Sequence, residues 1–113
     1  MIAYTLRGPV KDAEAFKTLA AELVPKVEAE ESGTEAYQWF LSEDGSYAML
    51  YEQYEDSAAF LTHLGNVAPV MDRFMASMDI EAVFAFGDID DAARDALDGF
   101  GATYADMVGG FMR

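Results

Sequence analysis

A four-residue stretch, Glu43-Asp44-Gly45-Ser46, separates two runs of strand-forming residues and constrains the fold more than any other feature of this sequence. An Asp-Gly pair between such runs is a strong signal for a β-hairpin, because both residues tolerate the positive φ angles of a tight turn. The two runs, Thr34 to Ser42 and Tyr47 to Tyr54, are therefore predicted to be neighbouring antiparallel strands.

The rest of the chain alternates between strand and helix patterns. Ile2 to Arg7 and Ile80 to Phe86 are rich in strand formers, and each run is followed by a glycine. Apolar residues recur at spacings of three and four after Asp12 and again after Asp56 or Ser57, which predicts amphipathic helices capped by those residues. The order β-α-β-β-α-β predicts a ferredoxin-like α+β domain, with a four-stranded antiparallel sheet and helices on one face.

Prolines and glycines are predicted to interrupt both helices. Pro25 should kink the first helix or split its end, because proline removes a backbone donor and clashes with the preceding turn. Gly65-Asn66 and Pro69 predict a joint between two shorter helices. The glutamates that follow Pro25 are interpreted as solvated: Glu28, Glu30 and Glu31.

The whole chain is predicted to be one domain, with a core over residues 1–88 and an extension over 89–113. In the extension, Asp90 or Asp91 caps a short helix that ends at Gly99, and a glycine-rich tail follows. The tail has four spaced apolar anchors: Tyr104, Met107, Val108 and Phe111.

Composition limits the partners of this chain. Seven Lys and Arg against 21 Asp and Glu give a formal net charge of -14, which argues against binding to nucleic acid or to an anionic membrane surface. The chain has no cysteine, so thiolate chemistry is excluded. No apolar run approaches the roughly 20 residues that span a bilayer, and we expect a cytoplasmic protein.

The chain is nevertheless 52% hydrophobic, which is high for such an acidic protein. Strands two and three place apolar side chains on both faces, so the face of the sheet away from the helices also needs cover. A homodimer in which two sheets pack face to face would supply it, with the tail as an arm that crosses to the partner.

Several segments together resemble the antibiotic biosynthesis monooxygenase family. The resemblance covers roughly residues 1 to 88 and rests on the order and spacing of its parts, because no single motif is very specific. The matching segments are Gly33-Thr34, Tyr37-Gln38-Trp39-Phe40, Ser42-Glu43-Asp44-Gly45, Tyr51-Glu52-Gln53-Tyr54-Glu55-Asp56, Phe60 and His63-Leu64.

This resemblance implies a dimeric α/β barrel of ferredoxin-like subunits, each with a pocket between its sheet and its helices. Several relatives oxygenate phenolic, anthrone or quinol-type aromatics without flavin or metal, and others degrade haem. The segment in which relatives often carry a second histidine reads Ala68-Pro69-Val70 here. The first strand lacks the asparagine of the haem-degrading members, and Asp72 lies near the position of their proximal histidine, so haem degradation is disfavoured.

His63 is the only histidine, and hence the only side chain whose unperturbed pKa lies near neutrality. With Asn66 one helical turn later, it could take a proton from a phenolic ligand and hold the resulting oxyanion. The alternative is that His63 lies at the helix surface and that Asn66 caps the helix end.

Strand aromatics and helix residues supply the other ligand-binding candidates: Trp39, Tyr37, Tyr51, Met71 and Phe74. Core packing is the alternative role for each. Glu52 on the third strand could be a pocket carboxylate or an exposed one, and an exposed position, or pairing with a base such as Arg7, is the favoured interpretation. No cofactor and no metal site are predicted. The leading hypothesis is a cofactor-independent monooxygenase for a flat aromatic, phenolic or quinol-type molecule, with His63 as catalytic base, and the rival is a non-catalytic dimeric binding or stress-response module.

Overall fold

The computed structural model describes all 113 residues as five strands, four α-helices and one 3-10 turn. In chain order the elements are β1 (Ile2–Pro9), α1 (Ala13–Glu30), β2 (Thr34–Leu41), β3 (Tyr47–Tyr54), α2 (Ser57–Val67), the 3-10 turn (Ala68–Val70), α3 (Met71–Ser77), β4 (Ala82–Gly87), α4 (Asp91–Asp98) and β5 (Thr103–Tyr104). No helix is both long enough and apolar enough to cross a membrane.

The five strands form one sheet in the order β2-β3-β1-β4-β5. All neighbours are antiparallel except β4 and β5, which are parallel. The predicted ferredoxin-like α+β fold is confirmed, with a fifth strand where four were predicted. This strand has only two residues, Thr103 and Tyr104, which is too short for the alternation that marks a strand in sequence.

The predicted hairpin joins β2 to β3. Gly45 has a φ of 76°, a conformation in which most side chains would be strained. The Asp44 carboxylate accepts hydrogen bonds from the Ser46 hydroxyl (2.7 Å), the Ser46 amide (3.0 Å) and the Ser42 hydroxyl (2.8 Å). These bonds lower the pKa of Asp44 to about 2, and they fix the turn that aligns β2 with β3.

Aspartate side chains cap three of the helices. Asp12, Asp56 and Asp90 each accept a hydrogen bond from the amide three residues later, at 3.0, 2.8 and 2.9 Å, which satisfies an amide that the helix itself leaves unpaired. Helix α1 runs without interruption through Pro25, so the prediction that the proline splits the helix end is wrong. Leu23 and Val27, buried on either side of it, keep this last part of the helix packed on the core.

The sheet has an inner face covered by the helices and an outer face without cover. On β3, Leu50, Glu52 and Tyr54 point inward and are buried. The outer face exposes large apolar side chains: Phe40 (47%), Met49 (37%) and Phe84 (44%). Beyond β5, four further apolar side chains of the tail are at least 80% exposed: Met107, Val108, Phe111 and Met112.

Candidate active site

A cavity of about 40 Å³ lies between the inner face of the sheet and the helices. Fourteen of the sixteen residues that line it are hydrophobic, and the two exceptions are Glu52 and His63. A cavity needs at least about 10–15 Å³ to hold a water molecule, so this space can hold water. A buried carboxylate and an imidazole at the wall of an apolar cavity make this the candidate site.

Glu52 is the centre of a buried hydrogen-bond network. Its side chain lies on the inner face of β3 and is 4% exposed. A single carboxylate oxygen, Oε1, accepts hydrogen bonds from the hydroxyls of Tyr4 (2.7 Å) and Tyr54 (2.6 Å) and lies 3.3 Å from Nε2 of His63. Burial and the charge of Glu52 raise the pKa of both Tyr4 and Tyr54, so these tyrosines stay protonated and act as donors.

His63 lies on α2 and is held between two carboxylates. Its Nδ1 is 2.8 Å from Oε1 of Glu31, and its Nε2 faces Glu52. Because carboxylates only accept hydrogen bonds, the doubly protonated ring is the form that satisfies both contacts. Burial opposes this charge, but the hydrogen bonds and charges of Glu52 and Glu31 outweigh burial and raise the pKa of His63 above its ordinary value.

Glu31 reaches the network from the end of α1. Its backbone amide caps the helix by donating to the carbonyl of Val27 at 2.9 Å. Its carboxylate also accepts hydrogen bonds from the Thr34 hydroxyl (2.8 Å) and the Asn66 amide (3.2 Å). The buried cluster thus contains two glutamate side chains and one imidazole, with no Lys or Arg among its hydrogen-bond partners.

Two neighbouring aromatic side chains on β2 complete the polar part of the cavity wall. Nε1 of Trp39 is buried and has no hydrogen-bond partner. The Tyr37 hydroxyl takes no part in the network around Glu52, although Tyr37 pairs with Glu52 across the two strands. Burial and then the charge of Glu52 raise the pKa of Tyr37, and the nearby indole N–H of Trp39 lowers it.

Comparison with known proteins gives the family. The model of the family described as antibiotic biosynthesis monooxygenase matches residues 2–76, which is more than half of the chain. The chain belongs to the antibiotic biosynthesis monooxygenase family. No match is found among curated proteins.

Solved structures similar to this family member support the fold. The crystal structure of MupZ from Pseudomonas fluorescens is 21% identical with a TM-score of 0.79, and the match covers 99% of this chain and 93% of MupZ. A structure titled antibiotic biosynthesis monooxygenase is 19% identical with a TM-score of 0.65, over 80% of this chain and 100% of that one. Rv0793 from Mycobacterium tuberculosis is 23% identical with a TM-score of 0.57, over 80% and 97%. At these identities the likeness concerns the fold alone.

In this member of the monooxygenase family, four of the predicted ligand-binding residues line the cavity: Tyr37, Trp39, Met71 and Phe74. Tyr51 does not, because it lies on the outer face of β3, where its hydroxyl donates to Gln53 at 2.6 Å. Asn66 is not among the lining residues either, since its amide turns toward Glu31.

His63 lines the cavity but is 2% exposed, so the alternative of a surface position is wrong. Its predicted role as catalytic base meets a geometric obstacle, because both ring nitrogens already face carboxylates. The interpretations of Glu52 as exposed and of Glu31 as solvated are wrong as well, since both are buried.

A signal for both missed carboxylates was present in the sequence. Glu31 continues the stripe of Leu19, Leu23 and Val27 at a spacing of four, and Glu52 shares the strand alternation of Leu50 and Tyr54. No group of three or more His, Cys, Asp or Glu side chains is arranged to hold a metal ion. The two glutamates lie on opposite edges of the histidine ring and do not converge on a common point.

Proposed function

We propose that this family member is a cofactor-independent monooxygenase that acts on a flat aromatic, phenolic or quinol-type small molecule in the cavity. Membership of the antibiotic biosynthesis monooxygenase family supports the reaction type. The single observation that carries the proposal is the position of Glu52, a buried carboxylate at the wall of an apolar cavity. Such a group can remove a proton from a bound carbon acid or phenol.

Glu52, and not His63, is the proposed base. Its three close partners all lie at Oε1, which leaves Oε2 free of protein donors and available to a ligand. The two tyrosine hydroxyls fix the plane of the carboxylate, a form of preorganisation that places the free oxygen before the ligand arrives. His63 is then a positioning residue that holds Oε1 from the opposite side.

Removal of one proton converts an anthrone or quinol-type ligand into an electron-rich anion that can reduce dioxygen. For an anthrone, a ring CH₂ group and O₂ give a ring C=O group and one molecule of water. The carbanion donates electrons to O₂, a peroxide forms at the ring carbon, and loss of water cleaves the O–O bond. The carboxylate takes the first ring proton and returns it to the peroxide, so the base is regenerated. The second ring proton then leaves with the hydroxide of the O–OH group as water, which forms the C=O bond as the O–O bond breaks.

The cavity must widen to admit such a ligand, because about 150 Å³ is needed for a single benzene ring. Part of the cavity lining consists of half-buried apolar side chains: Leu64, Val70, Met71 and Phe100. Met71 is the most adaptable of them, since its unbranched side chain has three rotatable bonds. We expect entry to proceed by displacement of this part of the wall.

Oxygen uptake with anthrone and a series of hydroquinones tests the proposal. We expect the Glu52→Gln variant to lose at least about 100-fold in rate, the usual contribution of a general base. The control is Glu55→Gln, which removes an exposed carboxylate at the end of the same strand and should leave the rate unchanged. Circular dichroism of each variant checks that the fold is kept, and Tyr54→Phe, which weakens the hold on Glu52, should give an intermediate rate.

Two results would contradict this proposal. Unchanged uptake in a folded Glu52→Gln variant would remove Glu52 from catalysis. Binding of these aromatics to the wild type without any oxygen uptake would support the rival function, a non-catalytic small-molecule-binding module.

We also propose that the protein is a homodimer in which the outer faces of two sheets pack together. Phe40, Met49 and Phe84 are 37–47% exposed on this face, and several large apolar side chains exposed on one face are typical of an interface. The apolar tail beyond β5 is proposed to add to the same interface as an arm.

A further inference from the structure

The indole nitrogen of Trp39 is buried without a hydrogen-bond partner. It is the only buried side-chain nitrogen or oxygen atom in the molecule that lacks one. Leaving such a donor unpaired in the interior is destabilising, so each case in a native protein calls for an explanation. Here the residue lines the apolar cavity beside Glu52, where a ligand can supply the missing acceptor.

Tyr37 places a second donor near the same point. Its ring packs edge-on against Trp39, with the ring centroids 5.8 Å apart. The indole N–H lies close enough to the hydroxyl to influence its titration, but without the geometry of a hydrogen bond. Because burial and the charge of Glu52 keep the phenol protonated, the hydroxyl can donate at any physiological pH.

The two donors and the carboxylate lie on adjacent strands of one sheet face. Tyr37 is the direct partner of Glu52 in the pairing of β2 with β3, and Trp39 is the direct partner of Leu50. Side chains that are directly opposite or diagonal on one face come within reach of each other. One wall of the cavity therefore brings together three side chains, Tyr37, Trp39 and Glu52, that carry two donor groups and one carboxylate.

We propose that the Trp39 N–H and the Tyr37 O–H form a two-donor site for one oxygen atom of the ligand. The cavity then selects flat molecules that carry a carbonyl, phenolate or enolate oxygen, and the donors stabilise that oxygen as negative charge develops on it. This inference rests on the proposed function for the identity of the cavity as the substrate site, and it adds the chemical feature that the substrate must carry.

A pair of small molecules that differ only in this oxygen tests the inference. 1-Tetralone has an aromatic ring fused to a ring with a carbonyl group, and tetralin is the same skeleton without the oxygen. Two hydrogen bonds predict that wild-type protein binds 1-tetralone about 10-fold or more tightly than tetralin. Calorimetry measures both affinities, and since Trp39 is the only tryptophan, its fluorescence reports occupancy of this cavity directly.

The variants Trp39→Phe and Tyr37→Phe each remove one donor and keep an aromatic ring. We expect each to weaken the binding of 1-tetralone by about threefold to tenfold and to leave that of tetralin unchanged. The unchanged tetralin affinity distinguishes a lost donor from a damaged cavity. The tilted contact of Trp39 with Phe16 and its edge-on contact with Phe74 are of a kind that phenylalanine can also make.

Equal affinities for the two ligands in the wild type, no binding of either, or an oxygen preference that survives in both variants would overturn this inference. None of these measurements depends on oxygenation. A preference for 1-tetralone that depends on Trp39 and Tyr37, in a protein that consumes no O₂ with any aromatic substrate, would therefore support the donor site and contradict the proposed monooxygenase activity. Consumption of O₂ without a preference for 1-tetralone would support the monooxygenase activity and contradict the donor site.

Discussion

Oε1 of Glu31 lies 2.8 Å from Nδ1 of His63, although the two residues are 32 positions apart in the chain. This contact joins the C-terminal end of α1 to the middle of α2. It places a second carboxylate at Nδ1 of the imidazole whose Nε2 faces Glu52. Both side chains are almost fully buried, at 4% and 2% exposure. The ion pair therefore experiences little screening by solvent or salt.

The first prediction concerns this pair. In Glu31→Gln the charge that helps to raise the pKa of His63 is removed, so we expect that pKa to fall. The unfolding free energy should drop by about 1–3 kcal/mol, because the hydrogen bond to a charged partner is weakened. NMR titration measures the pKa without ambiguity, since His63 is the only histidine, and urea unfolding measures the stability.

Glu30→Gln is the matched control for this prediction. Glu30 immediately precedes Glu31 but is exposed, so its removal should change neither quantity. A pKa of His63 that is the same in Glu31→Gln as in the wild type would contradict the contact described above.

The second prediction is the pH dependence of stability. The folded-state pKa of His63 is raised, so its contribution is fully present below the unfolded-state pKa of about 6.5 and is lost as pH rises through the folded-state pKa. The difference in unfolding free energy between wild type and His63→Gln should therefore shrink as the pH rises above about 6.5 and through the raised folded-state pKa. Denaturant unfolding at each pH measures it, and a difference that grows with pH would show that the pKa is lowered instead.

Local signals in the sequence were sufficient for much of the fold. The Asp44-Gly45 turn and the caps Asp12, Asp56 and Asp90 act within a few residues of their positions, so the chain near them determines their structure. The prediction of a cavity between the sheet and the helices came from the resemblance to the monooxygenase family. β5 escaped prediction because two residues carry no periodicity.

The candidate site was only half predictable, for a physical reason. The shared inward direction of Tyr37 and Trp39 follows from strand alternation. The role of His63, in contrast, depends on contacts with residues at the end of α1 and on β3. Glu31 and Glu52 extend apolar stripes, and charged residues in such positions are almost never buried unless they are paired. The pairing partner is visible only in the folded chain.

The third prediction tests a close approach between β1 and the segment before β4. A Cβ atom on Gly8 would collide with the backbone carbonyl oxygen of Asp79, and backbone cannot move aside as a flexible side chain can. We expect Gly8→Ala to lower the unfolding free energy by about 1–3 kcal/mol or more, since this range is the usual cost of overpacking.

Gly65→Ala provides the opposite expectation in the same assay. Gly65 lies within α2, is exposed, and would have no atom within 4 Å of its new Cβ. Alanine in a helix interior is favoured over glycine by about 0.8–1 kcal/mol, so this variant should be more stable than the wild type. A Gly8→Ala variant as stable as the wild type would contradict the close approach at Gly8, and destabilisation by Gly65→Ala would contradict the open space at Gly65.

The last prediction tests the proposed dimer. Phe84→Glu places a charge at a 44% exposed position on the outer face of the sheet, and a charge buried without a partner in an interface disfavours association. Light scattering should give a dimer for the wild type at micromolar concentration and a monomer for this variant. Met75→Glu is the control, because Met75 is 39% exposed but lies on α3 in the helix layer, and it should stay dimeric. A wild type that is monomeric, or a Phe84→Glu variant that is still dimeric, would rule out this face as the interface.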